Sequence, residues 1–279
     1  MIVLATASAG KGFPGRRRDG IQGLSGWRIQ LRVVNALTYR ELRTRVSEVK
    51  GGLVGVLIQP LGLLAIWVAL RAAINPSRGG SLNIVLFLAS GILLFEIFSQ
   101  IAKRSMNAMK ANKALLFYKP VKPIDPVIAR SICETGIYTL SLLLVMVGTW
   151  IYLDQIVMAD FGLFVISLFL MAVLGFSIGL VFMTANFLVP AFAPVAAWLS
   201  RILWFSSGVF YSYWYLPAWT RPFFLWNPLM HCIELNRSSM TQDYFTPDAS
   251  LPYASMATVF VFAVATWIYS NNERKLLTL

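Results

Sequence analysis

Apolar residues run through this chain in long blocks separated by short polar stretches. Six blocks reach the roughly 20 residues that a helix needs to cross a hydrocarbon core. They are about Leu53 to Ala73, Leu82 to Ile101, Ile128 to Leu153, Phe161 to Leu188, Phe192 to Tyr211 and Leu251 to Ser270. Backbone polar groups in lipid must be satisfied internally, so each block is predicted to be a helix, and Pro60 is expected to kink the first. No interval between them has room for a soluble domain. The predicted fold is an all-α integral membrane protein of about six transmembrane helices.

Residues 27–50 have a helical period but lack the length and apolarity of a span. At 100° per residue Trp27, Leu31, Val34, Leu42 and Val49 share one stripe, while Arg28, Arg32, Arg40, Arg43 and Lys50 lie elsewhere. That pattern predicts an amphipathic helix on the membrane surface. Arg45 projects into the apolar stripe, where it either pairs with Glu41 four residues earlier or contacts an anionic ligand. Residues 1–26, rich in Gly, Ser and Arg with no apolar period, are expected to form a disordered tail. The short apolar stretch Met1 to Ala7 precedes Arg16 to Arg18 instead of following it, so no cleavable signal peptide is expected.

Composition agrees with this reading: 57% of residues are hydrophobic and 13% charged, where soluble domains carry about 25% charged. The formal net charge of +12 could point to nucleic acid, but the basic residues flank apolar runs and act as topology determinants and lipid-headgroup contacts. Arg40, Arg43, Arg45, Lys50, Lys103, Arg104, Lys110, Lys113, Lys119, Lys122, Arg274 and Lys275 all fall on one side of the predicted spans. The other side carries Arg78, Arg221 and Arg237, so both termini are expected to be cytosolic. Cys133 and Cys232 are too far apart for a metal cluster and read as buried apolar side chains.

Candidate chemistry is sparse. No phosphate-binding G-x-x-x-x-G-K-[ST] loop is present, so ATP hydrolysis is not expected of this chain. Ionisable residues within spans are costly and each requires an account. Arg71 lies close enough to a span end to snorkel, Arg130 and Glu134 are one turn apart and expected to pair, and Glu96 has no partner in view, while Arg201 is left open. His231, the one histidine, reads either as a structural hydrogen-bonding residue or as a substrate contact. Trp198 to Trp226 is dense in aromatic residues. An interface belt explains part of that run, but flat rings also stack on sugars, and Tyr213, Trp214, Tyr215 and Trp219 are the chosen channel-lining candidates. Trp204 and Phe205 are expected to pack between helices. Pro217, Pro222 and Pro228 predict short re-entrant helices within residues 212–250.

Several segments carry a family likeness. Ser105 to Asn112 (SMNAMKAN), Tyr118 to Asp125 (YKPVKPID), Ala129, Arg130 and Glu134 resemble the inner-membrane permease subunits of bacterial capsular polysaccharide ABC exporters. Arg40 to Arg45 (RELRTR) and Trp226 to His231 (WNPLMH) with Glu234 and Arg237 are similar to that family's interfacial helix and outer loop. The resemblance implies a homodimer that binds two copies of a separate ATPase, which holds ATP and Mg, and moves a lipid-linked acidic polysaccharide. A periplasmic adaptor and an outer-membrane exporter are expected further partners. It further implies that residues 102–127 form a coupling loop, for which Lys110, Lys113 and Phe117 are the candidate ATPase contacts; Arg40, Arg43 and Arg45, whose guanidiniums on a membrane-surface helix suit phosphate and carboxylate, join His231 and the aromatic candidates as expected substrate contacts. The loop is expected to form a basic amphipathic helix. The alternatives are a membrane enzyme modifying a lipid-linked sugar, an ion-coupled carrier, or export of another glycan such as O-antigen or teichoic acid.

Overall fold

The computed structural model describes residues 26–74, 82–116, 121–153, 158–189, 191–244 and 246–277. Among them every regular element is a helix: α1 (Gly26–Glu48), α2 (Gly52–Ile74), α3 (Ile84–Met106), α4 (Ala108–Ala111), α5 (Lys113–Leu116), α6 (Asp125–Leu153), α7 (Phe161–Leu188), α8 (Phe192–Ser206), α9 (Arg221–Leu225), α10 (Pro228–Met240) and α11 (Leu251–Leu277), with a 3-10 turn at Tyr213–Tyr215. The expected tail lies almost wholly outside the described residues.

Five helices, α2, α3, α6, α7 and α11, are long and apolar enough to cross a membrane. Their starts are fixed by side-chain caps where the sequence supplies them, Asn83 accepting from the Val85 amide before α3 and Asp160 from the Leu163 amide before α7. The predicted fifth span is shorter than expected. Instead of reaching Tyr211, α8 stops at Ser206 after 15 residues, about 22 Å of helix. Gly208, with φ +68°, turns the backbone away, and Asn227 Nδ2 donates to both Ser206 and Ser207 Oγ across the break.

The bundle is organised around α3. Of its most apolar stretch 78% is buried in the protein, against 17% for α2 and for α11, and it packs on α7, α6, α2 and α10. The exposed sides of α2 and α11 are therefore left to lipid or to another chain. Trp67 of α2 meets Trp204 of α8 and Phe210, with ring centroids 5.8 and 4.4 Å apart, so Trp204 does pack between helices. Phe205 instead is exposed. After α8 the chain makes the 3-10 turn and the five-residue α9. It then enters the bundle as α10, whose residues from Leu229 to Arg237 are all buried. Short helices replace one long helix here, as expected from the prolines, with Pro228 at the first position of α10.

Candidate functional site

At the end of the bundle that carries α1, charged side chains from three helices meet. The apolar stripe of α1 divides: Trp27, Leu31 and Leu42 are exposed, whereas Val34, with Leu37 and Glu41, faces the protein. The helix thus has two working faces, an apolar one turned away from the bundle and a mixed one packed on α6 and α2.

Glu41 on the inner face accepts from Arg130 Nε of α6 at 2.9 Å and lies 3.4 Å from Arg104 Nη2 of α3. Glu134 of α6 pairs with Arg104 Nε at 3.1 Å and lies 3.7 Å from Arg45 Nε. Arg104 also reaches Glu48 at 3.9 Å. The expected Arg130–Glu134 pair is therefore corrected, and of the two readings for Arg45 the pair with Glu41 is not formed. Three helices converge here, and a carboxylate gains more from two guanidiniums on facing helices than from one on its own surface. The cluster leaves Arg45 Nε and Glu134 Oε2 without a hydrogen bond among the described residues. Arg43 is exposed and makes no ion pair there.

The same end carries the loop between α3 and α6. In place of one amphipathic helix it forms two single turns, α4 and α5, broken at Asn112. Asn112 is buried: its Nδ2 donates to Ala108 O at 2.9 Å, and its Oδ1 accepts from Arg40 Nη2. Ala108 and Met109 point inward while Lys110 and Lys113 are exposed. Phe117 lies outside the described residues. Gln30 of α1 donates to Asp125, which also accepts from the Lys122 amide at 2.8 Å, giving the surface helix a second tie to the loop.

At the opposite end Glu234 and Arg237 form a pair inside α10 at 3.0 Å, both buried. Arg237 donates to the carbonyls of Phe87, Val209 and Tyr211, and its guanidinium lies 3.7 Å from the Phe87 ring centroid. Glu234 accepts from Ser212 Oγ and the Tyr244 hydroxyl, both at 3.1 Å. At Gly91 of α3 an added Cβ would lie 2.3 Å from Val209 O and 2.7 Å from the Arg237 guanidinium, so only glycine permits this approach.

His231 is 4% exposed and both ring nitrogens are used: Nε2 donates to Leu225 O at 2.8 Å and Nδ1 accepts from the Ser250 amide at 3.1 Å. Those partners require the neutral tautomer, and burial pushes the imidazole pKa down from its ordinary value. The four aromatic candidates divide. Tyr213 is fully buried, its hydroxyl accepting from the Asp248 amide at 2.8 Å. Trp214 is partly exposed beneath Arg221, 4.3 Å from its ring centroid, while Tyr215 and Trp219 project outward with Phe223 and Trp226. The bundle also has a groove of about 660 Å³ between α6 and α7, but Ile132, Leu140, Leu143 and Phe169 make it an apolar surface without a charged group.

Comparison with known proteins places this geometry. The family model described as ABC-2 type transporter matches residues 32–241. The chain is 32% identical over 254 residues to the polysialic acid transport protein KpsM of Escherichia coli, covering 91% of this chain and 98% of that protein. It is 28% identical to the capsule polysaccharide export inner-membrane protein CtrC of Neisseria meningitidis serogroup B, covering 79% of this chain and 82% of CtrC. It is also 28% identical to BexB of Haemophilus influenzae, over 75% of this chain and 79% of that protein.

Proposed function

The chain belongs to the ABC-2 type transporter membrane family, and from that premise we propose that it is the inner-membrane permease through which a separate ATPase drives export of a capsular polysaccharide. The similarity to a polysaccharide transport protein along nearly the full length of both chains carries this reading. It favours export over enzymatic modification of a lipid-linked sugar. The cargo we infer is a lipid-linked acidic glycan, since Arg40 and Arg43 stand at the basic end and form no ion pair among the described residues. The planar guanidinium suits phosphate and carboxylate.

In this reading the basic end and both termini are cytosolic, and a homodimer binds two ATPase subunits that hold ATP and Mg. The exposed Lys110 and Lys113, with Phe117 beyond them, dock on the ATPase. Arg40 bonded to Asn112 ties this docking loop to α1. The pairs Arg130–Glu41 and Arg104–Glu41 then tie α1 to the spans, so a push on the loop is shared by α1, α3 and α6. Arg40, Arg43 and Arg45 receive the anionic end of the cargo. At the far side Trp214, Tyr215 and Trp219 offer ring faces to sugars, while Tyr213 and His231 hold that region in shape. A periplasmic adaptor and an outer-membrane exporter complete the route.

The test is genetic and biochemical together. A strain lacking this chain should lose surface polysaccharide and regain it on complementation. The purified chain should hydrolyse no ATP until its ATPase is added, and the combined Lys110, Lys113 and Phe117 alanine variant should lose that association. Full capsule in the deletion strain, or hydrolysis by the chain alone, would overturn the reading.

A further inference from the structure

Two polar stripes in the sequence have no role in the clusters above. On α3, Glu96, Ser99 and Lys103 recur at helical spacing and share a face; on α8, Ala197, Ser200, Arg201 and Trp204 do the same. The fold brings these faces together around a cavity of about 240 Å³, lined by all seven residues and Phe95. It is smaller than the roughly 300–1,000 Å³ of pockets for drug-sized ligands, so its occupant is a small unit. Glu96 lies about ten residues, roughly 15 Å of helix, before the end of α3, and Arg201 is nearly as far into α8, while Lys103 is in the last turn of α3, so the cavity runs from the basic end of the bundle into its apolar part.

Its chemistry is incomplete without an occupant. Lys103 and Arg201 are exposed and form no ion pair among the described residues. Ser99, one of the lining residues, is 1% exposed, and its hydroxyl has no hydrogen-bond partner among the described residues. By contrast Ser200 Oγ is satisfied by Ala196 O at 2.8 Å. Glu96 is held by Gln100 Nε2 at 2.8 Å, leaving carboxylate lone pairs for further donors. The Arg201 guanidinium lies 5.7 Å from the Trp198 ring centroid but in no ion pair among the described residues, and a cation at its depth is costly against lipid, which favours a watered or glycan-filled space along this face. Two cations, a carboxylate and the Trp204 indole match one acidic sugar: a carboxylate for Arg201 and Lys103, ring hydroxyls for Glu96, and a C–H face for the indole.

We propose that the α3/α8 cavity is a transit subsite for one acidic sugar residue of the exported chain. This rests on the export reading and adds the place where charge is read inside the membrane. Glu96 beside the two cations keeps the site weak enough to release each unit, as conduction through a pore requires.

The experiment uses the complete transporter, permease with its ATPase, in lipid nanodiscs. Cysteine is placed at Ala197, a small exposed residue of the cavity lining where the exchange is conservative, and labelled with N-ethylmaleimide. The wild-type chain, whose Cys133 and Cys232 are buried, serves as background. A sialic-acid tetramer should slow labelling. Arg201→Gln or Lys103→Gln should weaken that protection about tenfold, the value of one charge-assisted contact. Equal protection by maltotetraose, unchanged protection in both variants, or protection by inorganic phosphate but not by the sialic-acid tetramer would each overturn the proposal. A parallel complementation assay separates the two levels. Wild-type export without charge-dependent protection removes the subsite alone, whereas absence of wild-type export removes the reading on which it rests.

Discussion

At the α1 end, Glu41 and Glu134 are each shared between guanidiniums from different helices, with Arg104 serving both. At the opposite end Glu234 and Arg237 lie one turn apart on α10, and Arg237 spends its remaining donors on backbone carbonyls. One cluster joins three separate helices through side chains alone; the other fastens α10 to the backbone of α3 and of the segment after α8. A shared carboxylate can exchange partners as helices move, so the first arrangement suits transmission of force. A guanidinium bound to main-chain oxygens cannot move without leaving buried acceptors unsatisfied, so the second suits holding shape.

The contrast is broken most severely at Arg237. Arg237→Met strands Glu234 in the interior, where loss of one partner of a buried pair costs about 3–5 kcal/mol. Membrane levels and thermal unfolding of the purified protein should both collapse, and a normal unfolding temperature would deny the fastening role. At the α1 end a double-mutant cycle of Glu41→Gln with Arg130→Gln should give a coupling of about 1–2 kcal/mol. The cycle of Glu134→Gln with Arg130→Gln should give much less. The reverse ranking in denaturant unfolding would restore the local pairing that the helix spacing suggests. Export should fall in these variants while protein persists, unlike Arg237→Met.

A smaller effect is expected among the aromatic residues. Tyr215→Leu and Trp219→Leu should leave protein levels intact and weaken glycan binding by roughly 1–3 kcal/mol per ring if sugars stack as bases do. Tyr213→Leu should lower the protein level itself, because its buried hydroxyl holds the Asp248 amide. Quantitative blots beside surface polysaccharide assays separate the two. The mildest test concerns His231. Its folded-state pKa lies below the unfolded value of about 6.5, so its contribution to stability is complete above that value and shrinks as pH falls through it. Unfolding temperature should drop between about pH 7.5 and pH 5, and His231→Gln should flatten part of that slope.

The spans were legible because lipid imposes a length and a composition that few other constraints disturb. The end of α8 was not, since the apolar run continues past Ser206 and only Gly208 marks the turn. Ion pairing misled for a related reason: Arg130 and Glu134 satisfy the i, i+4 rule, but that rule describes an isolated helix and here α1 and α3 bring competing charges. The aromatic run could not be divided from composition, because the 3-10 turn rotates Tyr213 inward and Tyr215 outward within three residues. Glu96 and Arg201 were visible as anomalies. What joined them was the spacing of Ser99, Lys103 and Ala197 around them, a signal present in the sequence and recognisable only once α3 and α8 are known to be neighbours.

The bond between Glu41 and Arg130 spans 89 positions of the chain. A ribosome adding about 5–20 residues per second needs roughly 4–18 seconds to cover that distance. The Arg104–Glu41 contact spans only 63 positions, so α3 is synthesised in time to hold the Glu41 carboxylate before Arg130 of α6 exists to share it.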